Sequence, residues 1–464
     1  MPGYEKIDYL IEAELAQSRE EGKDLLALEA LRKELEAANP DLIAFEAWHE
    51  KFLALPMRPD FPFQEPSDLE SIQRLRQGPR PTLSVDWSDD SLGDKMHGAW
   101  LGRCVGCALG KPLENFMFGR NGLRSYQMTQ TYLTAISPEE WPIRDYVPAH
   151  SPAEEKTGPS ICPLSTREQI AFMQTDDDIR YTVLGQRILL QHGNKFSTWE
   201  VARAWIGQLC YAQLCTAETQ AYRNLVMRYR FHNIENLKQE VDWNWVATHF
   251  NPYREWIGAQ IRVDSYGYAA PGNPELAADL AWRDARLTHV KNGIYGAMFC
   301  AAMIAAAFAT NDVRKIIEAG LAEIPATSRL HAEMRQVIAI CDKYHCDSAQ
   351  FESVISAIYD LLGHYHPVHT NNNAAVCVAA LLLSGGDFAK GITLAVMGGW
   401  DTDCNGATVG SIVGAITGAR QAPEHWTARL HDTLNSELIE YHPIAISECA
   451  RRALDIAKRV ANPQ

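Results

Sequence analysis

Four glycines, Gly406, Gly410, Gly414 and Gly418, recur at every fourth residue, with Ala407, Ser411, Ala415 and Ala419 beside them. On an α-helix this spacing gathers the glycines into one smooth stripe. Each glycine costs about 1 kcal/mol in a helix interior. Four on one face therefore imply a second backbone approaching closely enough to offset that cost. A chain with such a stripe is expected to build a crowded helical core around it.

The remaining sequence repeats the helical pattern. Apolar periodicity and helix-forming residues predict helices over 94–108, 178–192, 198–215, 218–230, 275–287, 290–309, 311–322, 327–344, 349–363, 373–384, 387–397, 405–419 and 445–460. Strand-like alternation is scarce. Residues 4–53, rich in Glu, Leu, Ala and Lys, read as one or two amphipathic helices. Pro56, Pro59, Pro62, Pro66, Pro79 and Pro81 then interrupt regular structure, as in a linker. Segments 115–170 and 231–274, rich in Pro, Gly, Asn and aromatics, read as long ordered loops. The expected fold is all-α: a compact multi-helix bundle over residues 91–464, with residues 1–90 as a helical N-terminal extension and proline-rich linker.

Charge and composition narrow the function classes. The 464 residues carry a formal net charge of −15, and an acidic chain repels phosphate backbones, so nucleic acid is not expected as a partner. The longest apolar stretch, Ile294 to Ala309, is shorter than the roughly 20 residues a bilayer requires and is rich in alanine, which points to a buried core helix. No membrane partner is expected. The start, Met1-Pro-Gly-Tyr-Glu-Lys6, lacks the basic and apolar regions of an export signal. The 11 cysteines, among them Cys210, Cys300 and Cys377 in apolar runs, then read as reduced, packed thiols of a cytoplasmic protein.

Two acidic runs carry the chemistry. In Gln174-Thr175-Asp176-Asp177-Asp178, Thr175 can cap a helix whose first turn holds the aspartates, where the helix dipole favours negative charge. Three adjacent carboxylates exceed what a cap requires, and the same oxygens suit a hard divalent cation. Both readings stay open for this segment alone. In Gly398-Gly399-Trp400-Asp401-Thr402-Asp403-Cys404-Asn405-Gly406, two aspartates sit between an apolar helix and the glycine stripe. A carboxylate so placed is costly unless paired or metal-bound, which favours a cation. No 12-residue loop ending in glutamate follows, so this is not an EF-hand. The two runs together suggest a dinuclear centre, able to activate a water and clamp substrate oxygens.

Three ordered blocks resemble the ADP-ribosylglycohydrolase family. They are Asp94 through Glu114, containing Gly106-Cys-Ala-Leu-Gly-Lys-Pro-Leu-Glu114; Thr175-Asp176-Asp177; and Trp400 through Ala407 with the glycine-striped helix. The resemblance covers about residues 94–460. It implies an all-α bundle with a central cleft holding two magnesium ions, manganese being an alternative. Thr175, Asp176 and Asp177 would ligate from one side, and Asp401 and Asp403 from the other. Asp177 or Asp403 would orient or deprotonate the attacking water, with Glu114 assisting. The implied reaction is hydrolysis of the C1 bond of an ADP-ribosyl or related ribosyl group, the substrate being the expected partner. A small N-riboside or modified nucleoside is the alternative substrate, and a catalytically inactive ADP-ribose-binding module is a second alternative. The chain departs from the family pattern at Cys107, where an aspartate is usual, at Cys404 in place of a hydroxyl residue, and at Asp178 in place of threonine.

Other signals are weaker. His364, His366 and His369 are spaced unlike zinc ligands, and His369 with Asn371, Asn372 and Asn373 is a candidate for contact with a polar substrate. Cys104 and Cys107 have CxxC spacing without a second pair.

Overall fold

The computed structural model describes residues 6–38, 42–78, 80, 81, 83–229 and 241–462, with no side-chain description at 42–44. The fold is all-α. Among the described residues, the only sheet is a two-residue pairing, Thr433–Leu434 against Ile444–Ala445.

The glycine stripe packs against a second one. Helix Asp89–Gly110 runs antiparallel to helix Thr402–Thr417. Gly102 faces Gly410, Gly106 faces Gly406 and Gly98 faces Gly414. A Cβ built on Gly102 would lie 2.0 Å from the Gly410 carbonyl oxygen, and one built on Gly106 would lie 1.9 Å from that of Gly406. No side chain fits, so the two backbones touch along the whole seam. The last step matters most. Gly110 abuts the Thr402 backbone, and the Thr402 hydroxyl donates to the Gly110 carbonyl at 2.8 Å. The seam thereby fixes the end of one helix against the start of the other.

The expected helices form with ends moved by a few residues, as in Asp177–His192, Lys291–Ala307 and Ile446–Ala461. Lys291–Ala307 is buried from Asn292 onward, and no described helix is long and apolar enough to cross a membrane. The predicted 198–215 helix stops at Gln208, and Cys210 beyond it is exposed rather than packed.

Two loop expectations are corrected. Segment 115–170 contains a helix, Ser125–Thr134. Within 231–274, residues 230–240 lie outside the described set, but 251–271 are buried throughout, folded as turns over Ile257–Arg262 and Asp264–Tyr268. Their charges are paired inside: Arg262 Nη1 sits 2.6 Å from Glu218, and Arg103 Nη1 sits 2.9 Å from Asp264. A polar segment can be buried when its charges find partners.

The N-terminal region holds three helices rather than one or two, Ile7–Glu20, Leu25–Ala38 and Leu42–Ala54, around a small core that includes Leu15, Leu28, Leu35 and Phe52. The proline-rich strap includes one short helix, Leu69–Leu75. It lies along the bundle through Glu65 to Arg329 at 2.8 Å and the Trp282 indole to the Ser67 carbonyl at 2.9 Å.

Candidate metal centre

Both acidic runs open helices that point into the same space. Asp176, not Thr175, caps helix Asp177–His192, and its carboxylate accepts from the Asp178 amide at 3.0 Å. The Thr175 hydroxyl instead accepts from the Arg180 guanidinium at 3.0 Å. Asp401 precedes helix Thr402–Thr417, and Asp403 lies in its first turn. The chain reaches Asp401 through a tight turn with positive φ at Gly399 and Trp400. A Cβ on Gly399 would lie 2.6 Å from the Tyr126 amide nitrogen, so only glycine fits there. Glu114 arrives from the 3-10 turn Lys111–Phe116 that continues helix Asp89–Gly110.

Ligand-type atoms of these segments converge. Within each of four sets they lie inside 4.8 Å of one another: Cys107, Asp176 and Asp403; Asp178, Asp403 and Cys404; Glu114, Asp401 and Asp403; and Asp176, Asp177 and Asp178. Asp403 belongs to three of the four. Six carboxylates from three separated segments thus share one buried site.

The electrostatics are those of an anion cluster short of positive charge. Burial, then the charges of Asp176 and Asp403, push Asp177 up to about 7. Burial, then Asp176, lifts Asp403 to about 6. Asp178 and Asp401 are raised well above the usual range, chiefly by burial, and Glu114 chiefly by the charge of Asp403. Asp176 alone is held low. Burial acts against it too, but the Lys111 ammonium, in close contact with its carboxylate, outweighs burial. One buried oxygen of Asp403 has no hydrogen-bond partner. An orphaned carboxylate oxygen amid mutually repelling acids fits a divalent cation, whose charge would offset the repulsion.

The departures from the family pattern meet in space. The Cys404 thiol donates to the Asp178 carboxylate at 3.1 Å. Asp178 also takes an Arg103 contact at 3.2 Å. The thiol position thus comes with an added carboxylate across from it. Burial raises the Cys107 and Cys404 thiols well above their ordinary range, so both stay protonated and leave hard-cation binding to the oxygens. Cys104 is likewise raised by burial, which leaves no reactive CxxC pair. The sequence reading did not single out Lys111, although it stands inside the opening block, nor did it count Asp178 among the ligands.

The four polar candidates before the second run are fully buried. The Asn373 side-chain oxygen accepts from the Asp401 amide at 3.1 Å and from Asn405 at 2.9 Å, so it braces the acidic turn. Asn371 donates to Glu333 at 2.6 Å, Asn372 donates to the His366 carbonyl at 3.1 Å, and His369 caps helix Thr370–Ser384. A cavity of about 760 Å³, lined in part by Phe118, Arg124, Tyr359, Tyr365 and Trp400, is bounded by the residues just after Glu114 and just before Asp401. The Tyr359 and Trp400 rings stack there at 3.9 Å.

The family model described as ADP-ribosylglycohydrolase matches residues 88–460. No curated protein sequence matches. Among solved structures, one described as "ADP-ribosylglycohydrolase-related protein complex" is 20% identical, covering 80% of this chain and 99% of the other, with a TM-score of 0.46. With the family model spanning most of its length, including both acidic runs and the seam between them, the chain belongs to the ADP-ribosylglycohydrolase family.

Proposed function

We propose that the chain is a cation-dependent hydrolase of the C1 glycosidic bond of an ADP-ribosyl or related ribosyl group. The observation that carries the reading is the convergence of six carboxylates from three separated segments, met among the described residues by the Lys111 ammonium and the Arg103 contact to Asp178. Thr175, Asp176, Asp177, Asp401 and Asp403 would hold two divalent cations, with Asp178 an added candidate. An all-oxygen donor set suits magnesium, with manganese as the alternative. When bound, such ions supply positive charge that acidifies water and grips vicinal hydroxyls.

The remaining roles belong to the side chains. Asp177 or Asp403 orients the attacking water and takes its proton. Glu114, reaching in from the opposite loop, assists proton movement at the leaving atom. Asn373 holds the Asp401 turn in place through the 3.1 Å bond to its amide. Tyr359 and Trp400 present an aromatic wall to whatever is attached to the sugar.

The test is product release from ADP-ribosyl-arginine and from a panel of nucleosides, each with magnesium and with chelator. Magnesium-dependent release of ADP-ribose supports the main reading. Release from nucleosides alone moves the substrate to a small N-riboside. Binding of ADP-ribose with no turnover of any substrate would mark a binding module and overturn the hydrolase.

A further inference from the structure

A second set of metal-type ligands lies where the N-terminal helices meet the bundle. His49 and Glu50 come from helix Leu42–Ala54, and His249 directly follows helix Trp243–Thr248. One ligand atom from each of the three lies within 4.8 Å of the other two. His249 Nδ1 is 3.7 Å from Glu50, and the two imidazole centroids are 5.8 Å apart at nearly a right angle. Glu46, one turn before Glu50, stands 3.6 Å from the other His249 nitrogen.

The imidazoles need an explanation. His49 is 1% exposed, yet neither of its ring nitrogens has a hydrogen-bond partner, and His249 Nδ1 has none either. Buried polar groups without partners are rare and costly. The surroundings match those of a liganding histidine. Glu14 lies 3.5 Å from His49 Nε2 and is itself clamped by Arg254 at 2.8 Å. A carboxylate behind an imidazole orients the ring and leaves its other nitrogen for an ion. Two neutral imidazoles and a carboxylate suit zinc, unlike the all-carboxylate centre. Ligand atoms about 2.0–2.1 Å from a tetrahedral zinc stand roughly 3.4 Å apart. The 3.7 Å between His249 and Glu50 requires only a small side-chain adjustment to reach that spacing.

We infer that His49, His249 and Glu50 form a zinc site, completed by water, that staples the third N-terminal helix to the segment leading into Arg254 and Glu255. The three-helix layer has a small core of its own, and a bridging ion ties it to the body without further apolar area.

The test uses the full chain, stripped with chelator and returned to saturating magnesium so that the acidic centre is filled. Zinc is then titrated by calorimetry, and retained zinc is measured after gel filtration. The expected result is one equivalent retained by the wild type and by Asp403→Asn, with a raised Tm. His49→Gln and His249→Gln should lose the equivalent and the Tm gain. Glu50→Gln alters an exposed side chain, so it should fold normally and weaken zinc binding at least tenfold. Cobalt in place of zinc should give the visible bands of a tetrahedral ion in the wild type and Asp403→Asn, and not in His49→Gln or His249→Gln. No retained zinc in the wild type, or full retention in all three ligand variants, overturns the site. Loss of zinc from Asp403→Asn also overturns it, by assigning the ion to the acidic centre.

Discussion

Two groups of buried carboxylates in this molecule have opposite surroundings. Where the N-terminal helices dock, Glu14 and Glu21 share Arg254 at 2.8 and 2.7 Å, Lys291 adds a 3.0 Å contact to Glu21, and Glu255 and Glu65 share Arg329 at 2.7 and 2.8 Å. Burial pushes Glu14, Glu21 and Glu255 up, but the cations more than reverse it, and Glu14 and Glu255 end at about 2. At the acidic centre Arg180 and Lys111 offset burial and mutual repulsion only in part, and Asp177 and Asp403 rise to about 7 and 6. Acids neutralised by the chain's own cations hold the fold together. Acids raised together in one cluster are candidates for holding a bound cation, and the two surroundings predict opposite responses to losing a charge.

The sharpest way to break the comparison is to remove one charge from each group. Asp403→Asn should lower kcat/KM by about a thousandfold or more, since the charge stabilisation it supports is worth several kcal/mol, while the helical circular dichroism stays intact. A loss under tenfold would place the chemistry elsewhere. On the paired side, Arg254→Met leaves Glu14 and Glu21 buried without their guanidinium. Breaking such a pair costs about 3–5 kcal/mol, measurable by denaturant unfolding. The added change Glu14→Gln should restore part of it. A cost below about 1 kcal/mol would mean that the paired acids do not hold the N-terminal layer.

The seam between the striped helices assembles the acidic centre, because it sets Gly110 against Thr402 and so places Glu114 beside Asp403. Gly410→Ala puts a methyl 2.0 Å from the Gly102 carbonyl oxygen. Overpacking of this kind costs about 1–3 kcal/mol, and the displaced centre should lose activity as well. Gly207, in helix Thr198–Gln208 with nothing within 4 Å of a built Cβ, is the control. There alanine should stabilise by about 0.5–1 kcal/mol. Equal effects at the two positions would show that the seam tolerates separation.

Much of this arrangement was legible in local pattern. The every-fourth glycines from Gly406 predicted a close backbone approach, and the acidic runs stood out as more charge than caps require. The partner stripe, Gly98, Gly102, Gly106 and Gly110, has the same spacing and stands in the opening block. That the two stripes face each other is a long-range fact that no window of sequence contains. Segment 251–271 reads only as part of an ordered loop for a related reason. Its burial rests on tertiary partners such as Glu14 for Arg254 and Glu218 for Arg262. Asp178 and Cys404 read as two unrelated departures until the fold set them 3.1 Å apart.

The smallest effect tests the contrast in both directions of pH. In the unfolded chain all of these acids titrate near pH 4. Asp177 and Asp403 are raised, so between about pH 4 and 7 the folded chain binds more protons than the unfolded one. Their contribution to the metal-free protein is therefore present at low pH and lost as pH rises through that window. Glu14 and Glu255 are lowered, so their contribution is present above about pH 4 and lost as pH falls towards 2. Magnesium should flatten the upper limb and leave the lower one unchanged. Asp177→Asn should flatten part of the upper limb without metal, the other raised acids of the centre keeping the rest, and should raise stability at pH 7.5 by about 1–2 kcal/mol even as it destroys activity. Glu20 and Glu333, raised by burial to about 8 and 7 outside the acidic centre, should keep a residual slope that neither change removes. If magnesium and Asp177→Asn both left the upper limb untouched, the acids at the centre would not be short of charge, and the distinction between structural and functional carboxylates would fail.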